Sequence, residues 1–438
     1  MSVPFKSLVA QKVESEQQLL SIPGVNAVDV GYKYTNGQRT DEVVIRVHVS
    51  KKKKNVPADQ MIPAEINGIK TDVIEGTYDA QIVAEKQVDT VDAQADTVRY
   101  RPLKCGISIG PDRSVGGSVF AGTMGCLVKD KANGKTMMLS NFHVMCIDNS
   151  WHVGDVQNQP SLIDTGTHAD GVGTLTRAVL SSHVDGAVAN FKTGVTGTAN
   201  IPGIGNIAGT ATTTLGAPVR KRGRTTLLTY GFIDGLSGTV NVNYGGAIGT
   251  KTFTNQIFVR PDTARNPKFS DHGDSGSVIV DANNKVVALL FAGTAARTIG
   301  NPIAFVEAEL NVTVLKFILK PLKLEKIEKI EIKEFKLEKL EHKEKIEKIE
   351  HKEIKEVKHE ILENKQLVDG PAKFFEIPGK LNEVFQPGSP IDGPILNNSA
   401  SSDLETRIQQ LEAVVSDLSS FIESSLRPDL GEGALSNE

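Results

Sequence analysis

The sequence predicts a mainly β protein whose centre is a barrel or sandwich long enough for two small β-barrels, preceded by a small α+β unit and followed by a charged repeat and a short coiled-coil helix. From about residue 100 to 315, short apolar or alternating runs such as SVFAGTMGCLVKD, GVGTLTRAVL and VVALLFAG recur between Gly, Asn, Asp and Thr turns, as in a barrel or sandwich. The 40 glycines and 5% aromatic content suit many tight turns better than a large helical bundle. At 438 residues the chain has room for two or three domains and at least one sizeable core.

Residues 1–95 read as the α+β unit. Leu8, Val13, Leu19 and Leu20 punctuate an otherwise polar segment, which suits a short amphipathic helix. NAVDVGYKY and EVVIRVHVS then alternate on either side of Asn36-Gly37, a strong hairpin signal, and IKTDVIEG offers a third strand. The run Lys51 to Lys54 reads as a solvated strand end or an anion contact. Residues 96–318 hold the barrel strands, with IAFVEAELNVTVLKF as a closing helix.

Residues 319–362 are a Lys/Glu-rich repeat. Within 323–360 there are 12 Lys, 12 Glu and 3 His, so the block is mostly charged yet neutral. Its apolar residues, such as Ile330, Ile332, Phe335, Leu337 and Leu340, alternate steps of two and three and fit neither a helical stripe nor a clean strand. Glu/Lys richness favours a solvated helix or spacer, with a repetitive β-assembly as the other reading. His342, His351 and His359 do not share a helical face, so no metal site is expected there. Residues 363–402 are Pro/Gly/Ser linker text. In residues 403–427, Leu404, Leu411 and Leu418 take d positions while Ile408, Val415 and Ile422 take a. β-branched a with leucine d favours a parallel two-stranded coil, hence a homo-oligomer, although so short a helix could instead pack on its own chain.

The formal net charge of −4 gives no general case for nucleic acid. The first twenty residues lack an apolar leader run, and no segment reaches the roughly 20 apolar residues of a membrane span. A cytoplasmic protein with no membrane partner and no cofactor is the expectation. Cys105, Cys126 and Cys146 lack metal-ligand spacing and read as buried thiols, with a Cys126–Cys146 bond as the oxidised alternative.

The chemistry concentrates on FSDHGDSGS, residues 269–277, where Ser275 stands between Gly273 and Gly276. Glycines let a tight bend turn its N–H groups toward one point, but a serine hydroxyl needs a base and a group to orient that base. KTMMLSNFHVM places His143 just past an apolar strand, and HVDGAVANF places Asp185 at the start of another. These residues are far apart in sequence, so only folding can assemble them. His152, His168 and His183 are weaker candidates for the base, Asp170 is the main rival to Asp185, and Asp164 reads as a turn residue. Asp274 is expected to tie down the serine loop.

With the order His143, Asp185, Ser275, the chain resembles the trypsin-like serine proteases, which implies two six-stranded-type β-barrels meeting at a cleft. SNFHV resembles the family's base-bearing turn, with Phe142 where a small residue is usual, and VDGAVA resembles its aspartate segment. PVRKRGRTTLLTYGFI resembles the entry to the second barrel in bacterial members, and LLFAG the strand lining the primary pocket. A finer resemblance is to the plant narrow-leaf protein and its bacterial relatives, carried by PGVNAVDVGYKYTNGQRTDEVVIRVHVSKKK and VPADQMIPAEINGIKTDVIE.

The resemblance implies a serine endopeptidase acting on protein or peptide substrates. His143 is then the base, Asp185 its orienting group and Ser275 the nucleophile, with the N–H groups of Gly273 and Ser275 as oxyanion hole. It also implies a primary pocket lined by Phe269, Phe291, Ala292 and Gly293, with a leaning toward small or apolar side chains. No activation cleavage ahead of an Ile-Val terminus is evident, which suggests activity without processing or gating by assembly. The competing readings are a catalytically silent protease-fold scaffold and an esterase.

Overall fold

The computed structural model describes residues 3–84 and 95–317. The charged repeat, the linker and the heptads of 403–427 lie outside the described residues.

Helix α1 (Phe5–Leu20) buries Leu8, Lys12, Ser15 and Leu19 on one face. Val13 was expected on that face but is 52% exposed. The steps of four, three and four select Lys12 instead, and its ammonium is satisfied by Glu16 and by Thr239 Oγ1 at 2.7 Å. The hairpin β1 (Val25–Thr35) and β2 (Gln38–Val49) turns at Asn36-Gly37, both with positive φ, as the Asn-Gly pair predicts. After β3 (Glu65–Ile66), β4 (Ile69–Glu75) lies parallel to β2. Two short strands follow, β5 (Tyr78–Ala80) and β6 (Val83–Ala84).

The first barrel comprises β7 (Ile107–Pro111), β8 (Phe120–Met124), β9 (Cys126–Asp130), β10 (Thr136–Ser140), β11 (Val156–Asn158), β12 (Gly171–Leu180) and β13 (Asp185–Phe191). β8 and β9 are separated by Gly125 alone, so the pairing order β9-β10-β13-β12-β11-β7-β8 closes on one bent strand. Its core is packed by Ile107, Leu127, Met138, Val172 and Val188. A small hairpin, β14 (Asn200–Ile201) and β15 (Gly205–Asn206), leads to the second barrel.

That barrel is formed by β16 (Pro218–Gly223), β17 (Leu227–Asn243), β18 (Thr250–Pro261), β19 (Val278–Val280), β20 (Val286–Gly293) and β21 (Thr298–Pro302). The order β16-β19-β20-β21-β18-β17 closes through an additional β16–β17 pairing. The expected closing helix is only half helix. α3 (Ile303–Glu309) stops at Asn311, φ 50°, and the β-branched run becomes β22 (Val312–Val314) on the edge of the first barrel, against β9.

The N-terminal hairpin continues the second barrel's sheet, with Ala27 opposite Val240 and Gly31 opposite Gly235. A buried charge network crosses this junction. Arg46 Nε donates to Asp29 Oδ1 at 2.7 Å and Nη1 to Asp234 Oδ2 at 2.6 Å, while Arg297 Nε reaches Asp234 at 2.9 Å. Gly235 is required here, because a Cβ would lie 1.9 Å from Asp29 Oδ2. Burial works against the Asp29 charge, but Arg46 and His48 outweigh it and hold the carboxyl well below the usual range.

Candidate active site

The end of β10 and the start of β13 are neighbours, with Ser140 opposite Ala187, and that pairing brings His143 and Asp185 together. Asn141 leaves β10 in an extended conformation and its side chain donates to the Asp185 carbonyl at 2.7 Å. One helical turn, α2 (Phe142–Met145), then faces the His143 ring toward Asp185. Nδ1 of His143 lies 2.5 Å from Asp185 Oδ2, and its backbone N–H donates to Oδ1 at 3.2 Å. Nε2 is buried and, among the described residues, has no hydrogen-bond partner. Phe142, the departure from the usual small residue, stacks edge-on against Trp151 at 6.5 Å.

Two residues outside the sequence reading complete this corner. Tyr244 donates its hydroxyl to Asp185 Oδ2 at 2.6 Å, and burial followed by the Asp185 charge pushes its phenol well above the ordinary value. Asn301 Oδ1 accepts the Asp185 N–H at 3.0 Å.

The serine loop docks from the second barrel. Gly273 and Gly276 both have φ 93°, and a Cβ on Gly276 would lie 2.0 Å from the Thr123 carbonyl. Asp274 anchors the bend as expected: it accepts from Thr225 N at 2.9 Å, Thr226 N at 3.1 Å, Thr226 Oγ1 at 2.6 Å and Asp271 N at 3.0 Å. Lys221 Nζ, 3.2 Å from Asp274 Oδ2, matches its charge, although burial pulls the lysine below its ordinary value. A Cβ on Gly122 of β8 would meet both the Val144 side chain, at 2.5 Å, and the Ser275 carbonyl, at 3.1 Å, so the residue after His143 and the serine loop both close on this glycine.

The Ser275 hydroxyl donates to the Phe291 carbonyl at 2.9 Å rather than to His143. The N–H groups of Gly273 and Ser275 converge on one acceptor, the Gln81 carbonyl, at 2.8 and 3.4 Å. Ser275 and Asp185 are 0% exposed and His143 2%, and the segment carrying Gln81 lies against the serine loop.

The residues expected to line the primary pocket separate. Phe269 packs into the second-barrel core with Val219, Ile233 and Ile279, and its neighbour Ser270 faces the Gln81 side chain instead. The Phe291 ring packs on Phe253 and only its carbonyl is at the site. Ala292 and Gly293 pair with Ala80 and Asp79. Among the rivals, Asp170 binds Arg99 at 2.7 Å, Asp164 is held by Arg224, and His168 binds Asp112 at 2.6 Å. His183 stacks on Phe305 at 4.8 Å, and the His152 N–H caps Asp155 at 2.9 Å. Cys126 and Cys146 are free and buried, so no bond joins them; burial raises both thiols, and pushes Cys105 to about 12.

No family model matches the chain, and no curated protein matches it. Several solved structures do. Thermobifida fusca protease A is 18% identical with a TM-score of 0.37, covering 50% of this chain and 100% of its own. A Cellulomonas bogoriensis chymotrypsin is 19% identical at TM-score 0.35, covering 50% and 100%. Nocardiopsis protease is 16% identical at TM-score 0.35, covering 49% and 99%. The chain's own architecture is mainly β. Its two closed barrels meet at the cleft, His143 and Asp185 coming from the first and Ser275 from the second.

Proposed function

We propose that the protein is a serine endopeptidase working through His143, Asp185 and Ser275. The observation that carries this reading is the convergence of the Gly273 and Ser275 N–H groups on one carbonyl oxygen. Such a donor pair is what a tetrahedral oxyanion needs, and losing one donor commonly costs about 3–4 kcal/mol in the transition state. For attack, the Ser275 hydroxyl turns from the Phe291 carbonyl to the open Nε2 of His143. His143 takes its proton as Oγ bonds the acyl carbon, then delivers it to the leaving amine. Asp185 holds Nδ1 and balances the imidazolium, with Tyr244 fixing the carboxylate.

The fluorophosphonate probe for serine hydrolases tests this on protein whose cleft has been opened, as described below. Labelling at Ser275 that disappears in Ser275→Ala and His143→Ala supports the reading; a folded, open protein that takes no label contradicts it.

The finer assignments belong to the same proposal: kinship with the narrow-leaf protein, a cytoplasmic setting, and self-association through residues 403–427. Light scattering of the full chain beside a version ending near residue 320 checks the last, and an unchanged oligomer counts against it. A silent scaffold is the second reading, favoured by the serine hydroxyl resting on Phe291 in a covered site.

A further inference from the structure

We infer that the chain is its own substrate: the cleft holds residues 78–84 in a cleavable register, with the Gln81–Ile82 peptide bond at Ser275 and the Gln81 side chain filling the primary pocket. This inference rests on the peptidase reading.

Four sets of contacts fix the register. On the acyl side β5 pairs antiparallel with the end of β20, Ala80 opposite Ala292 and Asp79 opposite Gly293. The Gln81 N–H donates to the Phe291 carbonyl at 3.2 Å while its own carbonyl lies in the N–H cradle of Gly273 and Ser275. On the leaving-group side β6 pairs antiparallel with β8, Val83 opposite Ala121 and Ala84 opposite Phe120, and His272 Nδ1 lies 3.1 Å from the Ile82 carbonyl. The segment is therefore hydrogen-bonded on both sides of one peptide bond, and the carbonyl of that bond is the one polarised.

The pocket suits the side chain. Gln81 is 3% exposed, and Ser270 Oγ donates to its Oε1 at 2.6 Å. Thr298 Oγ1 backs Ser270 at 2.5 Å, and Gly293, lacking a Cβ, leaves room for the amide nitrogen. The Ser270 hydroxyl, backed by that of Thr298, meets the amide, and among the described residues no cation bonds it, so an uncharged glutamine fits better than glutamate, lysine or phenylalanine.

An anchor outside the cleft holds the segment. Tyr78 is buried, its hydroxyl lies 2.5 Å from His48 Nδ1 and its ring meets Phe258 edge-on at 5.7 Å. β5 also runs parallel to β17, and Asn243 donates to Asp79 at 3.1 Å.

In the reaction, Ser275 Oγ bonds the Gln81 carbonyl carbon, the bond to the Ile82 nitrogen breaks, and His143 passes the serine proton to the new Ile82 amine. Water then displaces Oγ, leaving the Gln81 carboxylate and a regenerated serine. Residues 1–81 stay docked through the shared sheet and the Arg46–Asp234 pair.

The test combines intact-mass analysis and N-terminal sequencing of the full chain over time with fluorophosphonate labelling of Tyr78→Ala and Gln81→Arg, which loosen the segment at its anchor and in the pocket. Expected are a fragment beginning at Ile82, formed at a rate independent of protein concentration and absent in Ser275→Ala, and labelling that rises roughly tenfold or more in an opened variant. Opened protein should also cleave a Tyr-Asp-Ala-Gln coumarin amide roughly tenfold or more faster than its Lys or Phe counterparts. Labelling at Ser275 with Gln81–Ile82 intact in the wild type, or a preference for another residue, overturns this inference while leaving the peptidase reading standing. Folded variants that neither label nor cut remove the peptidase reading and this inference with it.

Discussion

Tyr244 and His143 meet on a single oxygen atom: Asp185 Oδ2 accepts the Tyr244 hydroxyl at 2.6 Å and lies 2.5 Å from His143 Nδ1. The tyrosine comes from the end of the second barrel's long hairpin, so a carboxylate of one barrel is steadied by the other. Tyr244→Phe should lower turnover of an opened variant by about two- to tenfold, the worth of one hydrogen bond, with folding intact. Asp185→Asn, which disturbs the histidine tautomer, should cost about 10⁴-fold. Steady-state kinetics on a peptide amide separates the two.

Arg46 joins Asp29 and Asp234 across the junction of the N-terminal hairpin and the second barrel. Arg46→Met should destabilise by about 3–5 kcal/mol, because it strands buried carboxylates. The loss should appear equally in Trp151 emission, which reports on the first barrel, and in far-UV ellipticity. Urea denaturation followed by both signals checks this.

His48 faces Tyr78, Asp29, Arg46 and Arg297, and burial lowers its pKa below the ordinary 6.5 despite the opposing pull of Asp29. The unfolded chain therefore takes up the proton first as pH falls. This residue's contribution to stability is full above pH 6.5 and lost progressively below it, at up to about 1.4 kcal/mol per pH unit. Thermal melts at pH 7.5 and 5.5, compared with His48→Gln, should show a larger drop for the wild type.

Asp274 and Lys221 form a buried pair beneath the serine loop. Asp274→Ala should cost about 3–5 kcal/mol by leaving the lysine uncompensated and four loop donors unmet. Made in the opened Tyr78→Ala protein, the double variant Asp274→Leu, Lys221→Met should recover much of that stability but not the labelling of Ser275, since apolar replacements cannot hold the Thr225 and Thr226 N–H groups. Melting temperature and probe labelling read the two effects separately.

Much of the central fold was legible. Short apolar or alternating runs between turn residues predict β12 and β20 nearly to the residue, because a strand's apolar pattern and its turn boundaries are both local. His143, Asp185 and Ser275 stood out through their positions at strand ends and in a glycine bend. Tyr244 and Asn301 did not, since NVNYGG and IGNPI look like ordinary strand ends and only barrel closure carries them to Asp185. Gln81 carried a signal that the sequence reading passed over: YDAQIVA alternates beyond the last expected strand and places Ile82-Val83 after it. Its role depends on contacts more than 180 residues away, with Ser270 and Phe291, which no local pattern reports. Phe269 departs from its expected place in the pocket for a related reason: adjacent residues on the loop face opposite ways, so the ring enters the core while Ser270 takes the pocket.

The most direct measurement is mass spectrometry of new peptide termini after an unfolded protein such as reduced casein is incubated with the Gln81→Arg variant, beside the same variant carrying Ser275→Ala. New termini made by the first and absent with the second are the expected result. A folded variant that labels at Ser275 yet generates no new termini would contradict a peptidase and leave an esterase in its place.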